Sequence, residues 1–239
     1  MSQENERSTF NIHHSPFFSS VWAIVWKDLQ IEKHTRQIIS VMAMFSLVTV
    51  IMFNFALEAN LAAARDVATG LLWATILLAG TLGLNRTLAI ERENQTMEAI
   101  LMAPVPRGAI YLGKVISTTL FVLALEAIMV FMFIVFFDKP FWRPMVLLVL
   151  FLGTIGYMAA GVLVTSMTIQ TRTREVLLPV LLLPLSLPLV LPAAMTVSAY
   201  MFPQLPVLSE VQSPLSLVLI YDLLMLTAGF LTYHYVVES

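Results

Sequence analysis

The 239-residue chain has no cysteine, which removes disulfides, thiolate metal sites, CxxC redox chemistry and cysteine nucleophiles together. It is also poor in charge. Asp, Glu, Lys and Arg make up 12% of the residues, about half the usual fraction, while hydrophobic residues make up 59%. So few charges cannot coat a surface facing water, and a formal net charge of −2 gives no footprint for nucleic acid. GxSxG, HExxH and acidic clusters are missing as well, which excludes the common hydrolytic and metallohydrolase chemistries.

Long apolar runs fill the chain instead. A bilayer core of about 30 Å is crossed by about 20 apolar residues in a helix. Six segments meet that standard: Ile38–Leu57, Val67–Leu84, Val115–Phe137, Met145–Ile169, Val176–Met201 and Leu215–Val237. The expected fold class is an all-α membrane protein. Residues 1–20 are polar, with Glu4, Glu6, His13 and His14 and no apolar core, and read as a flexible tail rather than a signal peptide. Residues 21–239 form the membrane domain. Ten of the thirteen basic residues fall on the side that would hold both termini: Arg7, Lys27, Lys33, Arg36, Arg86, Arg92, Arg107, Lys114, Arg172 and Arg174. Arg65, Lys139 and Arg143 fall on the other. Retention of basic residues during insertion therefore predicts cytoplasmic N- and C-termini.

Two segments outside the spans carry information. Trp22, Val25, Trp26 and Leu29 share one face of a helix, with Lys27, Asp28 and Gln30 elsewhere around it. This suits a helix in the interface with Trp22 and Trp26 at headgroup depth, the alternative being an amphipathic helix packed on protein. The one long connection on the basic side, 85–114, contains Glu91–Met102. That run reads as a short amphipathic helix with Met97, Ile100 and Leu101 as its apolar stripe, ended by Pro104 and Pro106. A solvated charged loop is the alternative.

Gly108-Ala-Ile-Tyr-Leu-Gly113-Lys114-Val115 falls short of a phosphate-binding loop, because Val115 stands where the magnesium-binding hydroxyl belongs and no strand precedes it. Lys114 reads as an interfacial lysine at a helix start. His34 and His234 read as snorkelling residues near span ends rather than haem ligands. Glu126, twelve residues into the third span, and Asp222, eight into the last, are intramembrane acids. Each is expected either at a polar point of a path or interface, or hydrogen-bonded to a neighbouring helix. Pro179, Pro184, Pro188 and Pro192 interrupt the fifth span, predicting a kinked helix packed inside the bundle, with the kinks as candidate hinges. Gly153, Gly156, Ala160 and Gly161 permit close packing of the fourth.

Several runs together resemble the CcmB family, the permease subunit of the cytochrome c maturation ABC system. They are Gly83-Leu84-Asn85-Arg86; Glu91-Arg92-Glu93 with Thr96 and Glu98; Pro104-x-Pro106; Leu112-Gly113-Lys114; Gly153-Thr154-x-Gly156; Thr171-Arg172-x-Arg174-Glu175; and Leu177-Leu178-Pro179-x-Leu181-x-x-Pro184-x-x-x-Pro188. The family commonly has glycine where Gln95 stands. The resemblance implies an ABC-2-like, non-catalytic permease in the bacterial inner membrane, paired with a CcmA-like ATPase and associated with CcmC-like, CcmD-like and CcmE-like proteins. Glu91, Arg92, Glu93, Thr96, Met97, Glu98, Ile100 and Leu101 would then form the coupling helix that docks on the ATPase. Trp22–Arg36 would be the interfacial elbow. ATP would be bound by the partner and haem handled at the level of the complex, with no cofactor held by this chain. Two ATPases need two coupling helices, so either a homodimer or a second permease is expected. A general ABC-2 exporter and a static membrane scaffold are the rival readings.

Overall fold

The computed structural model describes residues 17–57, 61–93, 102, 105–168, 173–202 and 206–238. These form seven helices: α1 (Phe17–Thr35), α2 (Gln37–Leu57), α3 (Leu61–Glu93), α4 (Arg107–Phe137), α5 (Pro144–Thr168), α6 (Arg174–Ala199) and α7 (Leu208–Glu238). No strand occurs among the described residues. Helices α2 to α7 are each long and apolar enough to cross a membrane. In such a solvent only a helix satisfies all its own backbone groups, which is why apolar runs of this length adopt it. Residues 1–16 of the expected tail lie outside the described residues, and 17–20 form the first turn of α1.

Two boundaries differ from the sequence reading in the same way. The second span is not short: its apolar stretch runs Val67–Glu91, and the helix continues to Glu93. The third helix starts at Arg107, so Lys114 lies two turns inside it rather than at its start. In both places a charged residue, Glu91 or Lys114, lies inside the helix.

Helices α3 and α5 form the centre, each with 67% of its spanning window buried, against 22% for α2 and α7 at the outside. Helix α5 packs chiefly on α7 and α6, α2 on α3, and α1 on α4. The Trp73 ring of α3 lies directly over Gly153 of α5, where any Cβ would collide with it. Between the same two helices, the Tyr157 hydroxyl is 2.6 Å from the Leu77 carbonyl and 2.7 Å from the Thr81 hydroxyl. Tyr111 of α4 donates to the carbonyls of Ala159 (3.0 Å) and Met225 (3.1 Å), tying α4, α5 and α7 together. Such bonds fix helix register where apolar side chains face equally apolar lipid.

Helices α1 and α2 meet at Arg36, whose backbone is left-handed (φ 52°). The strain is offset by Glu32, whose carboxylate accepts the free amides of Ile38 (3.1 Å) and Ile39 (2.8 Å) at the start of α2. At the opposite end of the bundle, Arg143 donates to the Tyr200 and Phe202 carbonyls beyond α6.

Helix α6 is α-helical through all four prolines, but its proline face is not packed inside the bundle as expected: Pro184 and Pro188 are exposed, Pro179 is half-buried and Pro192 is buried.

The contact between α3 and α5 offers a packing test. Gly153→Leu should lower stability by about 1–3 kcal/mol, because the indole has no room to retreat. Gly70→Ala, where nothing lies within 4 Å of the added carbon, should leave it unchanged or slightly raised. Thermal unfolding in mild detergent measures both.

Candidate functional site

The centre of interest is a buried cluster of charge where α1, α3 and α4 meet. Helix α1 turns Phe18, Trp22 and Trp26 outward at a spacing of four and buries Val21, Ile24, Val25, Asp28 and Glu32. The single face expected of Trp22, Val25, Trp26 and Leu29 is therefore split: the tryptophans are exposed, whereas Val25 is buried, Leu29 packs against the core and the charged Asp28 lies on the inner side. Gly113 of α4 lets Ile24 settle against the α4 backbone, which brings the two helices close enough for their polar residues to touch.

Lys114 is 4% exposed. Its ammonium lies 3.2 and 3.1 Å from the two oxygens of Asp28 on α1, and it also pairs with Glu91 at the end of α3. Ser117, one turn on along α4, donates to Asp28 at 2.8 Å, and Lys27 approaches Asp28 at 3.0 Å from the rim. Burial alone would raise the Asp28 carboxyl. The Lys114 and Lys27 charges, with the hydrogen bonds of Lys27 and Ser117, outweigh it and hold the group below its ordinary 3.8. Next to the cluster, Arg86 donates to Gln37 and binds α3 to the start of α2. Two narrow crevices flank it, one lined by Glu91, Lys114, Thr118, Ser166 and Tyr233, the other by Asp28, Glu91, Ile38 and Phe121.

Of the eight proposed coupling residues, Glu91 is buried in this cluster as part of α3 and is not on an exposed docking face. Arg92 and Glu93 close α3. Thr96, Met97, Glu98, Ile100 and Leu101 lie outside the described residues, and Met102 is exposed. The separate helix read over Glu91–Met102 thus begins as the end of a spanning helix. Residues 94–106 connect two helix ends that the Glu91–Lys114 pair holds together.

The two intramembrane acids separate. Glu126 of α4 accepts a hydrogen bond from Thr154 of α5, which is the interhelical form expected of a structural acid. Asp222 is 6% exposed, rests against Gly156 of α5, and neither of its oxygens has a partner. His34 is exposed and within reach of the Gln30 carbonyl at 3.1 Å, and His234 is exposed beside Tyr235. Among the described residues no group of three or more His, Asp or Glu side chains could hold a metal ion.

What this arrangement can do is mechanical: an ammonium shared by two carboxylates fastens three helices at the foot of one connection. Removing Lys114 would leave buried Glu91 without this cation and Asp28 with only Lys27 at the rim. Lys114→Ala should therefore cost about 3–5 kcal/mol. A cycle of Asp28→Asn, Lys114→Gln and the double variant should show a coupling of about 0.5–3 kcal/mol in thermal unfolding. Since the folded-state value of Asp28 is depressed, its contribution is complete above 3.8 and is lost only as pH falls through that lower value.

The family model described as CcmB protein matches residues 19–231 of the chain. No curated protein matches it.

Proposed function

The chain belongs to the CcmB family and is a membrane subunit of the cytochrome c maturation ABC system, and on that premise we propose that it works as a non-catalytic force transmitter. The observation that carries this reading is the buried Asp28–Lys114–Glu91 cluster. A push on the 94–106 connection reaches both α3 and α4 at once, and Asp28 passes it to α1. ATP would close the CcmA-like partner against this connection, with Glu93, Thr96, Met97, Glu98, Ile100 and Leu101 as the docking residues. The helices would then shift as largely rigid bodies.

The basic residues support a cytoplasmic placement for this end. Lys27, Lys33, Arg36, Arg86, Arg107 and Lys114 are all carried on its helix segments, while Lys139 and Arg143 lie at the other end. Phe18, Trp22 and Trp26 would sit in the headgroup layer and anchor α1 against the lipid while α4 moves with it. Haem itself would be handled by a CcmC-like neighbour with a CcmD-like small protein. The motion of this subunit would drive release of the haem-loaded CcmE-like chaperone. Two copies of the chain, or one copy with a second permease, would serve two ATPases.

Reversing the charges of Glu93 and Glu98 to lysine tests the reading. Expected is a fall of about tenfold or more in ATP-driven cytochrome c maturation, the equivalent of about 1.4 kcal/mol of lost coupling, with the chain still inserted at its normal level. Undiminished maturation in that variant would leave a static scaffold as the better account.

A further inference from the structure

The prolines of α6 free backbone carbonyls, and the hydroxyls near them among the described residues bond to other carbonyls. A proline at one position deprives the carbonyl four residues earlier of its helical donor. Pro184 does this to Val180, Pro188 does it to Pro184, and Pro192 does it to Pro188. Helix α6 keeps α-helical form across the region, with no 3₁₀ or π turn to redirect neighbouring amides. The nearby hydroxyls are committed elsewhere: Ser186 to Leu183, Thr196 to Pro192, and Tyr221 of α7 to Leu185. Val180, Pro184 and Pro188 all lie on the exposed side of the helix. Pro184 is eight residues into the Val176–Ala199 span, about 12 Å along it and near the middle of a hydrocarbon layer.

Lipid cannot donate a hydrogen bond, and each unsatisfied carbonyl at that depth costs several kcal/mol. Water would serve the carbonyls but would wet the rest of the stripe. That stripe is Val176, Val180, Leu181, Leu187, Leu191 and Met195, between 47% and 66% exposed. A second copy of this chain is poorly equipped to cover it. Two α6 helices would set acceptor against acceptor. On α7 the exposed hydroxyls of Ser216 and Thr232 already donate to Ser213 and Ala228, and those of Ser209, Ser213 and Tyr235 lie near the ends of its span, which leaves Thr227 at mid-depth for three carbonyls.

We propose that the outward proline face of α6 is the docking surface for a transmembrane helix of a different polypeptide. That helix would carry two side-chain donors, hydroxyl, amide or indole, one turn or about 6 Å apart, placed against the Val180 and Pro184 carbonyls. The inference rests on the chain spanning a membrane and is independent of whether the chain transmits force.

Photo-crosslinking in native membranes tests it, with benzoylphenylalanine placed at Leu181 or Leu187 on this face and at Met44 or Leu148 as outward controls. The α6 positions should join to a non-identical membrane protein, with the link mapping within one turn of a Ser, Thr, Asn, Gln, Tyr or Trp in a spanning helix. The controls should not join to it. Pro184→Ala with Pro188→Ala restores both amides, so the chain should stay inserted while α6 crosslinks to that protein fall several-fold. Labelling of lipid alone, crosslinks to a second copy of this chain, or crosslinks undiminished in the alanine variant would each overturn the proposal.

Discussion

A lysine ammonium enclosed between two carboxylates, away from water, holds one end of this bundle together. Lys114 can be buried only because Asp28 and Glu91 stand on both sides of it, and those two can be buried only because it is there. Removing Lys114 leaves two buried carboxylates with only Lys27 at the rim to offset them, and removing either carboxylate leaves the ammonium a single partner. The cluster therefore behaves as a unit, and the helices that supply it, α1, α3 and α4, are obliged to stay in register with each other. Around it the Glu32 cap and the Arg86–Gln37 contact extend the same bracing to α2. Charge buried at an end of a bundle is weak evidence for stability. It is better evidence for a fixed geometry at the place where an outside force would be applied.

The rest of the bundle follows from the same scarcity of donors and acceptors in hydrocarbon. Tyr111, Tyr157 and Tyr221 reach to backbone carbonyls of neighbouring helices, and Thr154 reaches to Glu126. Small residues on α5 let the central helices approach closely enough for this. Among the described residues the satisfaction is incomplete: Asp222 against Gly156 is left without a partner, as are the buried polar atoms of Ser46, Trp73, Thr119 and Thr165.

The helical class and the number of spans were legible in hydropathy, because a membrane helix must be long, apolar and internally bonded; of the face read for α1, Trp22 and Trp26 are outward while Val25 is buried. The site was not. Asp28 and Glu91 lie 86 and 23 residues from Lys114 along the chain, and no local pattern connects them. Reading charge as a boundary signal hid them further: span two was ended before Glu91 and span three begun after Lys114, as though both faced water. A paired charge is tolerated inside an apolar helix, so the telling sign was a charge followed or preceded by more helix-forming apolar sequence. The prolines of α6 were legible as interruptions. Their outward placement was not, since interior packing is only one way to satisfy the carbonyls they free.

On the proposed function, α1 and α4 would move as one body when a partner ATPase acts. The absence of cysteine allows spin labels to be placed at will, one on Ala23 of α1 and one on Ile116 of α4, both exposed. Pulsed electron resonance on the assembled complex should find this separation unchanged between nucleotide-free and ATP-trapped states, while the distance from Ala23 to a label at Leu187 on α6 shifts. A nucleotide-dependent change between Ala23 and Ile116 would show that the charge cluster opens during the cycle, and would contradict the claim.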